Sequence, residues 1–536
     1  MHLTPFGEPC RDTQALRDIS KTGETKKKDS RLFFHIPSLP EEAVHDKGGR
    51  CLKTSSVDLF DGGKAPGASG QASNLKVHSD VEIRGRWLLA FILISNAPLA
   101  SADWTGTKGN IALQSDLFLS PDYSATDTRQ YNFVSAGMRT PGLGPDNRFE
   151  NLESGLQASI QGQFSPQAPA LSALNISQLY DQESLISIGR KLENWSDLDE
   201  RWNLGMYQPQ FRWNPLRPES QGLSGIFLKM RGESEKIPWG LLVFGSALYL
   251  PDQGASYTVK EGKFESTNPW FQTPPKQAAF SQTGVIDQIQ YDVQRPENNH
   301  ILFNTSYAAQ FYIGNSHAGF SLQTAYAYKP SNQLSLAVDG DLTSHDAVSV
   351  KVNPSFYYHS LLSADAQYVG DLFEAGVGAL REKPQAPDFE PQWNYVSYGE
   401  SNLVSPFVGV KWGRVKIRAL SLVVHEPEET VKGPKAKEVG GLLAHRYAFG
   451  SANALEASTR FFWRRYEGIT GKMRYTQGSE GEFALVTADL QYQMDQRWSL
   501  GGQVLLVRSD SSGRKKNIYS NFEDNDSAQV GVLYVF

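Results

Sequence analysis

The sequence predicts an all-β protein, a single transmembrane antiparallel β-barrel of about 18 strands, within roughly 16 to 20. Three observations predict it. The chain closes on an alternating segment whose one face is apolar throughout. Many earlier segments alternate in the same way. A short basic and apolar stretch near residue 84 has the form of an export signal.

Composition comes first because it bounds the classes. The chain has 536 residues, 40% hydrophobic and 21% charged, with a formal net charge of -6 and a mean hydropathy of -0.42. That balance fits neither a wholly disordered chain nor a basic nucleic-acid binder. No run of about 18 apolar residues is present, so membrane-spanning helices are excluded. A barrel is not, because it shows lipid only every second residue and its average looks polar. The 22 Tyr, 28 Phe, 11 Trp and 47 Gly suit strands, turns and interfacial girdles. Both cysteines, Cys10 and Cys51, lie near the amino terminus, so the main body has no disulfide or thiolate metal site.

Residues 1–83 are polar, mixed in charge and rich in breakers, as in Asp61-Gly62-Gly63-Lys64-Ala65-Pro66-Gly67. They read as a disordered extension, with a mis-assigned translation start as its explanation. Residues 84–102 read as a signal peptide: Arg84 and Arg86, the apolar run Trp87 to Ile94, the breaker at Pro98, and Ala100-Ser101-Ala102 as cleavage site. Residues 103–536 are then the barrel.

Within the body, Phe320, Leu322, Tyr326 and Tyr328 oppose Ser321, Gln323, Ala325 and Ala327. Ile301, Phe303, Tyr307, Phe311 and Ile313 oppose Asn304, Ser306 and Gln310, and Ala484 to Tyr492 alternate with Thr487, Asp489 and Gln491. One such segment fits a soluble sandwich equally well; many with aromatic ends fit a barrel better. Short turns are expected at Lys329-Pro330-Ser331-Asn332, Gly413-Arg414 and Asp495-Gln496. Long polar loops are expected at 192–221, 250–282, 382–402, 426–437, 467–481 and 509–525. The strand signal is weak around 150–192 and 361–381. In the closing strand Ala528, Val530, Val532, Tyr534 and Phe536 share the apolar face.

The signal-like stretch, the repeated alternation and the last strand ending on Phe536 resemble bacterial outer-membrane β-barrels of the porin type. The resemblance covers signal, barrel and closing strand, and names no subfamily. It implies the outer membrane of a Gram-negative bacterium, with that membrane's lipid and lipopolysaccharide as surroundings. It makes Tyr534 and Phe536 an assembly signal for the barrel-assembly machinery, and it makes small hydrophilic solutes the cargo. Both termini and the short turns would be periplasmic and the long loops extracellular, with homo-oligomerisation left open. It implies no cofactor and no metal.

Two features carry candidate function. The 192–221 connection holds Glu193, Asp197, Asp199 and Glu200, then Arg201, Arg212 and Arg217, with Trp195, Trp202 and Trp213 between. In porins one long loop folds into the lumen, which makes these residues a charged constriction; the alternative is a rim loop with a short helix. The second feature is cationic. Lys411, Arg414, Lys416, Arg418, Arg446, Arg460 and Arg464 alternate with apolar neighbours such as Ile417, Phe461 and Trp463. Charge facing lipid costs about 2–4 kcal/mol at the midplane, so these seven are expected to line the pore, with some at the rim as the alternative.

No G-x-S-x-G, H-E-x-x-H or phosphate loop is present, so no enzyme is expected. The expected function is a diffusion porin with a charged constriction. An export barrel for an acidic exopolysaccharide, resembling alginate-export porins, is one alternative. A non-conducting adhesin or structural barrel is the other.

Overall fold

The computed structural model describes residues 108–119 and 130–536, less 140–152, 165–168, 280–285, 435–449, 510–517 and gaps of one to four residues. The proposed extension, the signal peptide and its Ala100 and Ala102 cleavage site, and Arg446, lie outside the described residues.

Eighteen strands form one sheet. The first six are β1 (Lys108–Phe118), β2 (Gln130–Arg139), β3 (Glu153–Phe164), β4 (Pro169–Glu183), β5 (Ile186–Lys191) and β6 (Leu223–Ser234). The next six are β7 (Ile237–Ser246), β8 (Ser306–Gly314), β9 (Gly319–Pro330), β10 (Tyr358–Val369), β11 (Phe373–Pro384) and β12 (Ser401–Trp412). The last six are β13 (Val415–His425), β14 (Ala452–Phe462), β15 (Gly468–Gly478), β16 (Phe483–Gln493), β17 (Trp498–Ser509) and β18 (Ser527–Val535). Each pairs antiparallel with its neighbours in sequence, and β18 returns to β1 from Asn110↔Val535 to Phe118↔Ser527. Closure leaves no strand edge unpaired, which is what a lipid environment requires of backbone amides and carbonyls.

Alternation assigns the two faces. Outward side chains are large and apolar: Val408, Val410, Ile417, Leu455, Met473, Leu490 and Val530 are all exposed. Aromatics ring the end where the chain terminates. Trp412 is 84% exposed, and Phe461–Trp463, Trp463–Tyr492 and Trp498–Tyr534 have ring centroids 5.7, 5.9 and 4.6 Å apart. Rings of this amphipathic kind settle at a membrane–water interface. No described helix is long and apolar enough to cross a membrane.

The rim holding the carboxy terminus is joined by short connections, among them 315–318, 370–372, 413–414 and 494–497. The opposite rim carries the long ones: 192–222, 247–305, 331–357, 385–400, 426–451 and 510–526. The turns at Gly413-Arg414 and Asp495-Gln496 are where the sequence places them. Three expectations need correction. Lys329–Asn332 is not a short turn; Lys329 and Pro330 end β9 and a long connection follows. Residues 467–481 are not a loop, because β15 occupies Gly468–Gly478; glycine at 471 stands where the outward face should be large. Ile301 belongs to the short helix Asn298–Leu302, and β8 starts only at Ser306.

The long connections are not structureless. Segments Gln277–Ala279, Ile286–Val293, Ala347–Ser355, Ser335–Ser344, Asn394–Tyr398 and Glu429–Lys432 form a second, six-stranded sheet. Ile289, Val338, Val348, Val350 and Val396 make its small core.

Candidate functional site: the lumen and its inserted loop

The inner face has two halves. Toward the long-loop rim it is apolar and buried, through Phe133, Phe227, Phe244, Leu361, Leu380, Leu403, Leu422, Leu485 and Val507. A barrel wall pointing apolar groups inward needs something to cover them. The 192–222 connection does so. Trp195, Leu198, Trp202, Met206 and Tyr207 are buried in one cluster with those wall residues, and Trp213 and Leu216 pack against it. Burying each large side chain contributes about 1.5–3 kcal/mol, so the loop is held in the barrel by the same effect that fills a soluble core.

A one-and-a-half-turn helix, α1 (Asp197–Trp202), organises this loop. Ser196 is its N-cap and accepts from the Asp199 amide, and Asn203 ends it in the left-handed region at φ 52°. Asp365 on β10 receives the Ser196 hydroxyl and the amides of Asp197 and Leu198 at 3.0–3.2 Å. The approach is close enough that Gly378 is required: a Cβ there would lie 2.4 Å from Asp365 Oδ1 and 2.8 Å from Leu198 Cβ. Trp202 Nε1 donates to Ser405 Oγ at 2.8 Å, and the Tyr207 hydroxyl donates to Ser363 Oγ at 2.9 Å. Both partners lie on the inner wall. The loop then crosses the lumen. Arg217 meets Asp489 of β16 at 3.0 Å and Gln503 of β17 at 2.7 Å.

The loop charges divide by role. Asp199 is buried and accepts from the Met206 and Tyr207 amides at 3.0 and 2.9 Å; burial pushes its carboxyl up despite those bonds. Glu200 accepts from Gln208 at 2.9 Å, and burial next to Asp199 raises it to about 7. Burial alone would also raise Glu193, but Lys229 and Lys191 at 3.2 and 3.0 Å outweigh it and hold its carboxyl low. Arg212 is paired to Asp252 at 2.8 Å. Arg201 lies 3.9 Å from the centre of the Phe407 ring. Asp197 accepts from Asn194 at 2.6 Å.

Toward the short-turn rim the wall is polar, and here the sequence-derived cations separate. Lys416 and Arg418 face inward on β13. Both reach Glu374 of β11, at 2.8 and 2.7 Å. Glu374 crosses β12 to do so, over Gly409, where a Cβ would come within 2.7 Å of its Oε1. Arg418 also lies 3.8 Å from Glu456 of β14, which takes Lys472 of β15 at 3.2 Å and Arg474 at 4.0 Å. The register is continuous: Glu374↔Gly409↔Arg418↔Glu456↔Arg474. Arg474 in turn donates to the Arg201 carbonyl at 2.7 Å and covers the Trp202 ring. Lys411 faces inward at the rim and donates to the Gly370 carbonyl at 3.0 Å.

Arg460 shares the inner parity of β14 and covers Phe462. Arg414 and Arg464 depart from the expected lining position. Arg414 sits in a turn over the Phe461 ring, and Arg464 sits in the next turn with Glu467 at 3.0 Å, 75% exposed. The structure thus brings Lys416 and Arg418 together and sends Arg414 and Arg464 to the rim. Sequence reasoning missed Glu374, Glu456, Asp365, Lys472 and Arg474. Glu456 and Asp365 carried one signal, a lone acid within an alternating small or apolar segment.

No family model and no curated protein matches the sequence. Solved structures do. OccAB4 of Acinetobacter baumannii aligns at 11% identity over 81% of this chain and 98% of its own, with a TM-score of 0.38. The outer membrane protein OpdK of Pseudomonas aeruginosa aligns at 12% identity over 80% and 98%, with a TM-score of 0.38. A triple mutant of the Rhodopseudomonas blastica porin aligns at 9% identity over 80% and 99%, with a TM-score of 0.31. Likeness at these scores carries no weight by itself, so the fold stands on the strand pairing: a closed, 18-stranded antiparallel barrel of the outer-membrane type, with a loop inserted in its lumen.

Proposed function

We propose that the chain is a porin of the outer membrane of a Gram-negative bacterium, passing small hydrophilic solutes by diffusion. One observation carries the reading: a closed barrel, apolar outside, whose lumen is crossed by the 192–222 loop between Asp365 on one wall and Asp489 on the other. Water and solutes occupy the polar half, and the loop sets the aperture. Facing charges on the loop and wall then bias which solutes pass. Among the described residues, Lys416, Arg418, Lys472 and Arg474 form their ion pairs with Glu374 and Glu456, so this stretch of wall carries a cationic surplus. That surplus favours anions in the passage. The buried long-loop half limits the cargo to small solutes.

The buried half and the rim sheet also favour a second reading, a non-conducting barrel that displays its loops. Planar-bilayer recording on the refolded chain separates the two. Discrete conductance steps with a modest anion preference support the porin. Insertion without conductance supports the display barrel.

A further inference from the structure

Phe407 stands where the two halves of the lumen meet. On β12 the inward side chains run Leu403, Ser405, Phe407, then Gly409 and Lys411 at the polar end. Phe407 is thus the last large apolar group before the charged row that crosses Gly409. Its register partner on β11 is Gly376, where a Cβ would come within 2.5 Å of Phe407 Cε1. That close fit, together with its burial, fixes the ring.

Two guanidinium groups from distant parts of the chain meet this one ring. Arg201, in the last turn of α1, lies 3.9 Å from its centre, and Arg418 of β13 lies 5.3 Å from it. Both fall within the roughly 6 Å over which an aromatic face attracts a cation. For Arg418 the ring is a secondary contact, since Glu374 holds it at 2.7 Å. For Arg201 it is the main one. Among the described residues the Arg201 side chain makes no ion pair and no hydrogen bond, and its Nη1 is buried without a partner. The carboxylates around it are engaged elsewhere: Asp365 with Ser196 and the amides of α1, Asp197 with Asn194, and Glu374 with Lys416 and Arg418.

We propose that Phe407 is a positioning residue for pore charge: its ring holds the loop cation Arg201 against the wall beside Arg418, and this sets how much positive charge the passage presents. The role rests on the diffusion reading and deepens it. Without the attraction of the ring, Arg201 turns into the water of the polar half and adds a cation to the passage. Trp202 on Ser405 and Leu198 on Asp365 still hold α1 in place. Selectivity then changes while the aperture holds.

The test is the reversal potential of the refolded chain across a salt gradient, with single-channel conductance recorded beside it. Phe407→Leu keeps an apolar side chain over Gly376 and removes the ring. It should raise the anion-to-cation permeability ratio about twofold at low salt, at near wild-type conductance. Replacing the Phe407 side chain by its trifluorinated analogue keeps the shape and weakens the negative face. That variant should shift the ratio the same way by a smaller step, and it carries the test if Phe407→Leu fails to fold. Arg201→Met should move the ratio toward cations, and in that background Phe407→Leu should add nothing. An equal Phe407→Leu shift with and without Arg201 overturns the proposal and leaves the porin standing, as does a fluorinated ring that leaves the ratio unchanged. A wild-type chain that inserts without conducting overturns the diffusion reading, and this role of Phe407 with it.

Discussion

The carboxylate of Asp365 on β10 holds the first turn of α1 from the opposite side of a strand interface, with the Leu198 amide donating to Oδ1 at 3.0 Å. The same carboxylate takes the Ser196 hydroxyl at 3.0 Å and the Asp197 amide at 3.2 Å. A wall residue therefore does for this helix what a capping side chain normally does from within the chain. Losing such a cap costs about 0.5–2 kcal/mol, and orphaned buried amides add about 1–3 kcal/mol. Asp365→Ala should loosen the loop from the wall. Single-channel recording should show larger and noisier conductance than wild type, with unchanged barrel insertion. Quiet, wild-type conductance would show that the apolar cluster holds the loop unaided.

The far end of the loop is tied less firmly. Arg217 and Asp489 are both partly exposed, so their pair contributes about 0.2–1 kcal/mol. Arg217→Ala should raise conductance less than Asp365→Ala does. The charge swap Arg217→Asp with Asp489→Arg should restore wild-type conductance if pairing matters. If each single change and the swap all match wild type, the tip of the loop does not set the aperture.

Much of this architecture was legible in the sequence. Period-two alternation survives wherever the outward residue is large, as at Leu490 and Tyr492, and the last strand has it in full. It fails where the outward face is small. In β15 Gly471 lies between Ile469 and Met473, and the segment reads as loop. In β11 Ala375, Val377 and Ala379 face out against inward Gly376 and Gly378, so both faces look alike. Glu374 disappears in that weak pattern, and with it the partner that neutralises Lys416 and Arg418. The loop charges were visible as a cluster. Their division into buried Asp199, paired Arg212 and tethering Arg217 depends on how the loop folds back on itself, on Asp252 in the next connection and on Asp489 far along the chain, none of which spacing encodes.

Glu200 gives the loop a pH dependence. Its carboxyl is raised from the usual 4.5 to about 7, by burial first and by Asp199 second. The folded chain therefore keeps a proton that the unfolded chain releases. The associated stability is complete below 4.5 and is lost as pH rises through about 7. Glu200 is itself exposed to the lumen water, so solvent screening keeps this contribution well below the full value of the shift. Raising the pH from about 6 to about 8 should ionise Glu200, set its charge against that of Asp199, and increase current noise. Glu200→Gln should remove that pH step. A wild-type channel equally quiet at both values would count against it.

The closing strand runs to the last residue. Phe536 exchanges backbone hydrogen bonds with Gly109, at 2.9 and 3.1 Å, and its ring extends the Trp498–Tyr534 aromatic row. Deleting Phe536 removes two ladder bonds at the barrel seam and one interfacial anchor. We expect several-fold less heat-modifiable protein in the outer membrane at equal expression. Equal amounts would show that Tyr534 suffices.

The carboxylates of the wall ladder offer the sharpest test of how the lumen handles charge. Glu374 serves both Lys416 and Arg418, and it reaches them only because Gly409 leaves the way clear. Two unit charges 4 Å apart interact by about 1 kcal/mol in water and about 4 kcal/mol near a protein surface. Removing one shared carboxylate therefore exposes two cations at once. Glu374→Gln should move the reversal potential toward anion selectivity. Arg418→Met should move it toward cations by a smaller step, because Lys416 still holds Glu374. Both shifts should shrink as salt rises past about 0.1 M, where the screening length falls to about 10 Å. Gly409→Ala should reproduce the Glu374→Gln shift without changing any charge, by pushing the carboxylate off its partners. If Gly409→Ala has no effect while Glu374→Gln does, the carboxylate acts by its charge alone and the bridging geometry is irrelevant to selectivity.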